Sequence, residues 1–484
     1  MKPEIATAIS TVLTIAHGLQ FDVPQTAPEG ANTIASSAPI GISIEFFEFP
    51  DYVQKLPLTN ACLNKLGDAM NARPPMRIGG TSQDSAVYNS SLLSPISYRW
   101  PDSTHKGVPL DLQFGKEYIS LASQYDGPVV FGLNRRMDNL SNTIEAAKIA
   151  REGMPNFRAF EIGNEPNFYK DSDPIAESKP WTADADFSSE VKWQSAIGEA
   201  LNEKEPFVQA GVYYGTGSFN TKDLGDVEKQ GGTLNDVKSF CHHFYSQSSS
   251  YNLSKLIDHA QIISDLKQFE PEAEKARELG KDFVFGETNS ANQGGVKGLS
   301  DTYGSALWLI DYTMQAIKLG AKELLFHHGT IGQCGYCWFQ DSVAAPFYGA
   351  YTGALAVSGA SKLVQLDHGS DRYAAYAFYG KSDELLRILL INSNYYGKGG
   401  NREKVTFDLR GFGKNVRHLY VRKLTADSTD VVVGNGEITL AGQSFTGDEC
   451  GLEGKANVKA LKVRNGKVST ELQASEALIL DVQA

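Results

Sequence analysis

The sequence predicts an α/β protein, a (β/α)8 TIM barrel followed by a C-terminal antiparallel β-sandwich domain, and three observations carry that prediction. Over residues 41–329, short apolar runs alternate with longer stretches whose apolar residues recur at three and four, the pattern of a parallel sheet covered by helices. Eight such runs favour a closed barrel over an open doubly wound sheet, and no Gly-x-Gly-x-x-Gly follows the first to suggest a dinucleotide site. Beyond about Leu355 the helical period gives way to alternating runs between Gly, Asn and Asp turns. The expected division is a signal peptide at 1–18, one sandwich strand and a connector at 19–39, the catalytic barrel at 40–354 and the sandwich at 355–484.

Taken in order, residues 5–16 form an apolar run too short to span a bilayer and of the length of a secretory signal core. The alternative is a short N-terminal helix or strand, because Glu4 and several Thr and Ser interrupt the pattern. Residues 19–24 alternate like a strand. Barrel strands are expected at 41–47, 75–80, 128–134, 157–165, 207–215, 237–245, 282–287 and 322–328, each without strict alternation, as covering both faces requires. Helical stretches between them include 138–151, 188–203, 253–279 and 303–319. Sandwich strands are expected at 373–380, 386–394, 404–411, 418–426, 437–445, 467–474 and 477–482, with bracing of the barrel preferred over carbohydrate binding as their role.

The chain has 484 residues, 41% hydrophobic and 21% charged, enough for two cores. A formal net charge of -12 argues against a surface built for nucleic acid or another polyanion. The signal-like run at 5–16 leads to the expectation of a secreted, extracellular protein, and no later run is apolar for long enough to cross a membrane, so no membrane partner is expected. Sequons at Asn89, Asn139 and Asn252 fit that expectation. Of five cysteines, Cys334 and Cys337 stand in a C-x-x-C without the two further ligands of a structural zinc site, so a disulfide or loop thiols are favoured.

Polar and aromatic residues crowd the C-terminal ends of the expected strands, which in a barrel share one face. Two of those ends deliver glutamates, Glu165 after 160–164 and Glu287 after 283–286. Glycosidic bond cleavage needs two carboxyls in opposite protonation states, one to protonate the leaving oxygen and one to face the anomeric carbon. Placed close together, the charge of one raises the pKa of the other. Glu165 is assigned as acid/base, Glu287 as nucleophile, and Asn164 as the partner of the sugar 2-hydroxyl. No metal and no organic cofactor is implied.

The Asn164-Glu165-Pro166 step, the His242-His243-Phe244-Tyr245 strand, and Gly286-Glu287-Thr288-Asn289-Ser290 followed by Leu299-Ser300-Asp301-Thr302-Tyr303 resemble glycoside hydrolase family 79, which contains β-glucuronidases and heparanase. The resemblance implies a retaining barrel with its acid/base after the fourth strand and its nucleophile after the seventh. It implies that Glu45 and Thr81 hydrogen-bond sugar hydroxyls, with Asp84 a further candidate, that Tyr245 holds the Glu287 carboxylate, and that His243 lies in the pocket floor. Arg77 is read as a structural arginine of the barrel mouth rather than a substrate clamp. Gly294, Gly295 and Tyr336 would receive the glucuronate carboxylate. Where relatives carry a tyrosine before the glycines, this chain has Asn292-Gln293, so either the carboxylate is held differently or the pocket admits a substituent at the sugar 4-position.

The leading expectation is a secreted retaining exo-β-glucuronidase that removes glucuronic acid, 4-O-substituted or not, from oligo- or polysaccharides such as plant arabinogalactan or gum side chains. Heparanase-like endo cleavage is less favoured because a polysulfated chain calls for a basic cleft. Another retaining β-glycosidase is the nearest alternative. A non-catalytic carbohydrate-binding protein has no need for both glutamates.

Overall fold

The computed structural model describes residues 18–483 except 106, 249 and 448; the proposed signal core at 5–16 lies outside the described residues. Eight parallel strands close a barrel: β1 (Ile40–Glu45), β2 (Met76–Gly79), β3 (Val129–Leu133), β4 (Phe157–Ile162), β5 (Val208–Tyr214), β6 (Val237–Gln247), β7 (Asp282–Ala291) and β8 (Ala321–His328). Each pairs with its sequence neighbour, and β8 returns to β1 in register, Phe326 opposite Ile42 and His327 opposite Ser43. The strands are almost wholly buried because side chains fill the barrel on one face and helices cover the other.

Helices start where side chains satisfy their free N–H groups. Asn139, Thr182 and Thr302 cap Leu140–Gly153, Ala183–Leu201 and Tyr303–Leu319 by accepting from the third amide onward. The stretch expected as one helix at 253–279 is instead broken into Leu253–Leu256, His259–Leu266, a 3-10 turn at Lys267–Phe269 and Glu270–Glu278. Asn252 and Asp258 each cap a new start, and Pro271 opens the last segment. A small sheet of Val87–Tyr88, Ile96–Arg99 and Leu110–Phe114, absent from the sequence expectation, follows β2. Its strands are short and half exposed, so they carry little periodic signal.

The C-terminal region is two stacked sheets. The larger runs Ile438–Leu440, His418–Ala426, Glu476–Gln483, Leu385–Asn392, Tyr373–Tyr379, Lys362–Gln365, Asn32–Thr33, and the smaller is Leu19–Asp22, Lys404–Arg410, Lys467–Gln473. The strand at Leu19 does join this domain, but it pairs parallel to Lys404–Arg410 rather than antiparallel. Alternation also fails where the larger sheet is covered twice. Ile388, Leu390, Leu478 and Leu480 face the smaller sheet, whereas Leu389, Ile391, Ala477 and Ile479 belong to the core shared with the barrel helices. The last barrel helix, Ala345–Val357, is buried on nearly every side.

Two disulfides are formed, Cys62–Cys450 between a barrel helix and the sandwich, and Cys334–Cys337 in the loop after β8; Cys241 is buried and unpaired. Among the described residues no helix is long and apolar enough to cross a membrane.

Candidate active site

Arg77 on β2 is the hub of the barrel floor. It is fully buried, and its guanidinium donates to Glu161 (2.6 Å), Glu287 (2.6 Å), Asn164 (2.8 Å) and Ser43 (3.2 Å). A buried arginine bonded to two carboxylates stays cationic, so Arg77 is a fixed charge beneath the cavity. It is buried beneath the barrel mouth and bonds Glu287 of the functional pair directly.

Glu287 projects from the middle of β7 and accepts from the Tyr245 hydroxyl at 2.7 Å. His327 Nδ1 stands 3.7 Å from it and His243 Nδ1 4.0 Å. Burial opposes its ionisation, but the charges of His327, His243 and Arg77 and the Tyr245 hydrogen bond outweigh that and hold it well below the usual carboxylate range. Arg77 supplies the fixed positive charge, burial pushes His243 down to about 4, and Glu287 and Glu45 overcome burial and raise His327.

Glu165 follows β4 in the left-handed region, φ +46°, with its N–H donating to the Val212 carbonyl at 3.0 Å. Val212 is itself at φ +58°, beside a register shift between Gly211 and Tyr213 of β5. A β-branched residue pays steric strain there, so the backbone that aims Glu165 is held by its surroundings rather than by local preference. His243 Nδ1 lies 3.0 Å from the Glu165 carboxylate. Burial first, and then the charge of Glu287, raise the Glu165 pKa to about 8. One oxygen of Glu165, one of Glu287 and one His243 nitrogen lie within 4.8 Å of one another. Retaining glycosidases hold their carboxyls about 5–5.5 Å apart and inverting ones about 6.5–9.5 Å, so this spacing leaves no room for an attacking water between acid and base.

The remaining expected residues fall into two groups. Glu45 lies on the cavity wall, 3.5 Å from His327 Nε2, and is held by the Ser82 amide at 2.8 Å and the Ser82 hydroxyl. Gly80, at φ +92°, allows this because a Cβ there would strike the Glu45 carboxylate. Thr81 is exposed at the start of the Thr81–Ser85 turn. Asp84 is buried, one carboxylate oxygen accepting from the Asn164 amide (3.1 Å) and the Tyr169 hydroxyl (2.8 Å), so it supports the Asn164-Glu165 step; its other oxygen has no partner among the described residues. Asn164 turns its side-chain oxygen to Arg77.

Across the cavity Gln293, Gly294 and Gly295 take three successive positive φ values, and a Cβ on Gly295 would meet the buried Tyr336 ring at 2.8 Å. The Gly335 amide donates to the Gly294 carbonyl at 2.6 Å, and the Gly294 amide faces the Tyr336 hydroxyl. The Gly295 amide is already used, by the Asn292 carbonyl at 3.1 Å. The loop and Tyr336 are therefore one unit, beside Tyr245 and His327 at ring separations of 6.1 and 6.2 Å.

Residues the sequence reading did not single out are His327, Ser82, Glu161 and Tyr169. His327 was visible as a polar strand end; the others show no local signal. Glu165, His243 and Glu287 have the spacing to hold a cation, as do Glu161, Cys241 and His243, but the Arg77 guanidinium bonded to Glu161 and Glu287 already supplies the positive charge.

Residues 375–479 match the model of the glycosyl hydrolase family 79 C-terminal beta domain. The chain is 42% identical to a 4-O-α-L-rhamnosyl-β-D-glucuronidase from Fusarium oxysporum 12S, solved as a Rha-GlcA complex, with 96% of this chain and 100% of that one covered and a TM-score of 0.91. It is also 26% identical to a β-glucuronidase of Aspergillus niger, covering 92% of this chain and 90% of that protein, and 25% identical to one of Neurospora crassa, covering 90% and 89%. An α-L-arabinofuranosidase from Thermotoga maritima, at 11% identity and a TM-score of 0.64 over 96% of this chain and 100% of that one, shares the fold.

Proposed function

The chain belongs to glycoside hydrolase family 79 and is a glycoside hydrolase, and on that footing we propose a retaining exo-β-glucuronidase that removes terminal, 4-O-substituted β-glucuronic acid from plant arabinogalactan or gum side chains. The observation that carries the reading is the close approach of Glu165 and Glu287 with opposed pKa shifts. Glu287, ionised and aligned by Tyr245 and Arg77, attacks the anomeric carbon while Glu165 gives its proton to the leaving oxygen. Once Glu287 is esterified its charge is gone, Glu165 loses the repulsion that kept it protonated, and it takes the proton of the incoming water.

Two features support a 4-O-substituted sugar: Asn292-Gln293 before the glycines, and the 42% identity to an enzyme named for that substrate. The Gln333 side chain donates to the His105 carbonyl at 3.3 Å, tying the loop after β8 to the excursion after β2, which favours exo action by closing one side of the mouth. Secretion belongs to the proposal, because the two disulfides suit an oxidising compartment.

The test compares p-nitrophenyl β-glucuronide, its 4-O-rhamnosyl derivative, and the glucoside, galactoside and xyloside. We expect turnover of the glucuronides with the β-anomer as first product by NMR. Preference for a neutral glycoside overturns the glucuronidase reading, and refusal of the 4-O-rhamnosyl derivative overturns the role of Asn292-Gln293.

A further inference from the structure

We propose that the rings of Phe168 and Tyr214 form the aglycone subsite, a platform on which the departing sugar of the substrate stacks a hydrophobic pyranose face; this rests on the glucuronidase reading above.

Phe168 is 56% exposed, the one phenylalanine so exposed among the described residues. An exposed ring on a mobile tip means little, but this one is fixed. It closes the 3-10 turn Pro166–Phe168, with its amide donating to the Glu165 carbonyl at 2.8 Å. The Trp181 indole N–H donates to the Pro166 carbonyl at 2.9 Å. The Asn167 side chain bonds Tyr214 in both directions, accepting from its amide at 3.0 Å and donating to its carbonyl at 3.2 Å. The turn after β4 is thus stitched to the end of β5, and the Phe168 and Tyr214 rings meet with centroids 5.3 Å apart. Ordering such a surface beforehand removes an entropic cost that a ligand otherwise bears.

Direction decides what the platform serves. Tyr214 lies 6.3 Å from Tyr245 at an interplanar angle of 19°, and Tyr245 donates to Glu287. An aromatic wall therefore runs from the nucleophile, past Tyr214, to Phe168 at the surface. Phe168 is three residues beyond Glu165, the group that protonates the glycosidic oxygen. The leaving sugar is attached to that oxygen, so it departs along the Glu165 side, where the exposed ring stands. By the glucuronidase reading, Glu45 and the Gly294-Gly295-Tyr336 unit receive the glycone, and Tyr214, whose hydroxyl meets Asn292 next to those glycines, borders both subsites, with Phe168 beyond it at the surface. Pyranose rings present C–H groups on one face, and an aromatic ring with one open face is their complement.

The experiment compares Phe168→Ala, Phe168→Trp and wild type on a glucuronosyl-galactose disaccharide and on β-glucuronyl fluoride, whose leaving group is too small to stack. With the disaccharide, Phe168→Ala should raise KM about tenfold with kcat nearly retained, and Phe168→Trp should restore KM. With the fluoride both variants should stay within about twofold of wild type. Because fluoride leaves without the proton of Glu165, a fall in kcat on the disaccharide that Phe168→Trp does not restore would mean that Phe168 only holds the turn carrying Glu165, and no loss on the disaccharide would mean that the ring does not touch the leaving sugar; either result overturns the proposal. Failure of the wild type on both substrates and on their 4-O-rhamnosyl derivatives would instead overturn the glucuronidase reading, and the subsite with it.

Discussion

Glu165 and Glu287 share one cavity and one charge environment, yet their immediate partners set them to different protonation states. Tyr245 and Arg77 donate to Glu287 and His327 stands 3.7 Å from it, whereas Glu165 has one close histidine that burial keeps neutral near pH 7. The pH dependence follows from the sign of each shift. Glu165 must be protonated to act, and its pKa is raised from 4.5 to about 8, so kcat/KM should hold through neutral pH and fall as pH rises through about 8. Glu287 must be ionised, and its pKa is lowered, so the acidic limb should begin below 4.5. The two groups titrate together, so the profile reports the pair. Replacing Glu287 by Gln removes the second-largest cause of the Glu165 shift, and carboxyl NMR titration should then find Glu165 at a lower pKa than in wild type. An unchanged value would mean that burial alone sets it. Glu165→Gln or Glu287→Gln should lower kcat on an oligosaccharide by several orders of magnitude, and near wild-type turnover in either would contradict the assigned roles.

At the scale of elements, the cavity is assembled by loops that brace one another. The loop after β8 carries Tyr336 between the disulfide partners Cys334 and Cys337 and lies against Gly294-Gly295 of the loop after β7. Replacing both cysteines by serine should loosen Tyr336 and raise KM for glucuronides several-fold with a smaller change in kcat; an unchanged KM would show that glycine packing alone fixes the ring. Asp84→Ala should strip acceptors from the Asn164 amide and the Tyr169 hydroxyl, costing about 2–4 kcal/mol in denaturant unfolding and lowering kcat through the displaced Glu165. The elements themselves differ in how openly the sequence announces them. Barrel strands were legible because covering on both faces leaves short apolar runs between polar ends. The breaks within 253–279 were not, because Asp258 restarts the helix by side-chain capping that leaves the apolar period intact. His327 was visible only as a polar strand end; its roles beside Glu45 and Glu287 require β8 to close on β1.

Over the whole molecule, the sandwich and barrel are joined by a buried charged network. His259 Nδ1 pairs with Asp311 at 2.7 Å and its Nε2 with Asp367 at 3.0 Å, and Tyr376 donates to Asp311 across the boundary. Burial disfavours the imidazolium, but the two aspartates dominate and raise the His259 pKa from 6.5 to about 10. Because the folded value is the higher one, the stabilisation is complete below about pH 6.5 and is lost as pH rises through 10. Wild type minus His259→Asn should therefore differ by about 3–5 kcal/mol in urea unfolding at pH 6, with the gap closing near pH 10. A gap independent of pH would assign the loss to packing.

The sequence by itself determined the barrel, the sandwich and the two glutamate-bearing strand ends, because periodicity and strand-end polarity are written locally in the chain. It did not determine the parallel strand at Leu19, the Cys62–Cys450 link or the double-sided burial of Leu385–Asn392. Nor did it determine the convergence of Arg77 and His327 on Glu287, although the family resemblance had placed Tyr245 there, where its hydroxyl donates to that carboxylate. Those depend on which distant segments meet, and the segments meet only once the barrel has closed and the larger sheet has packed against its helices.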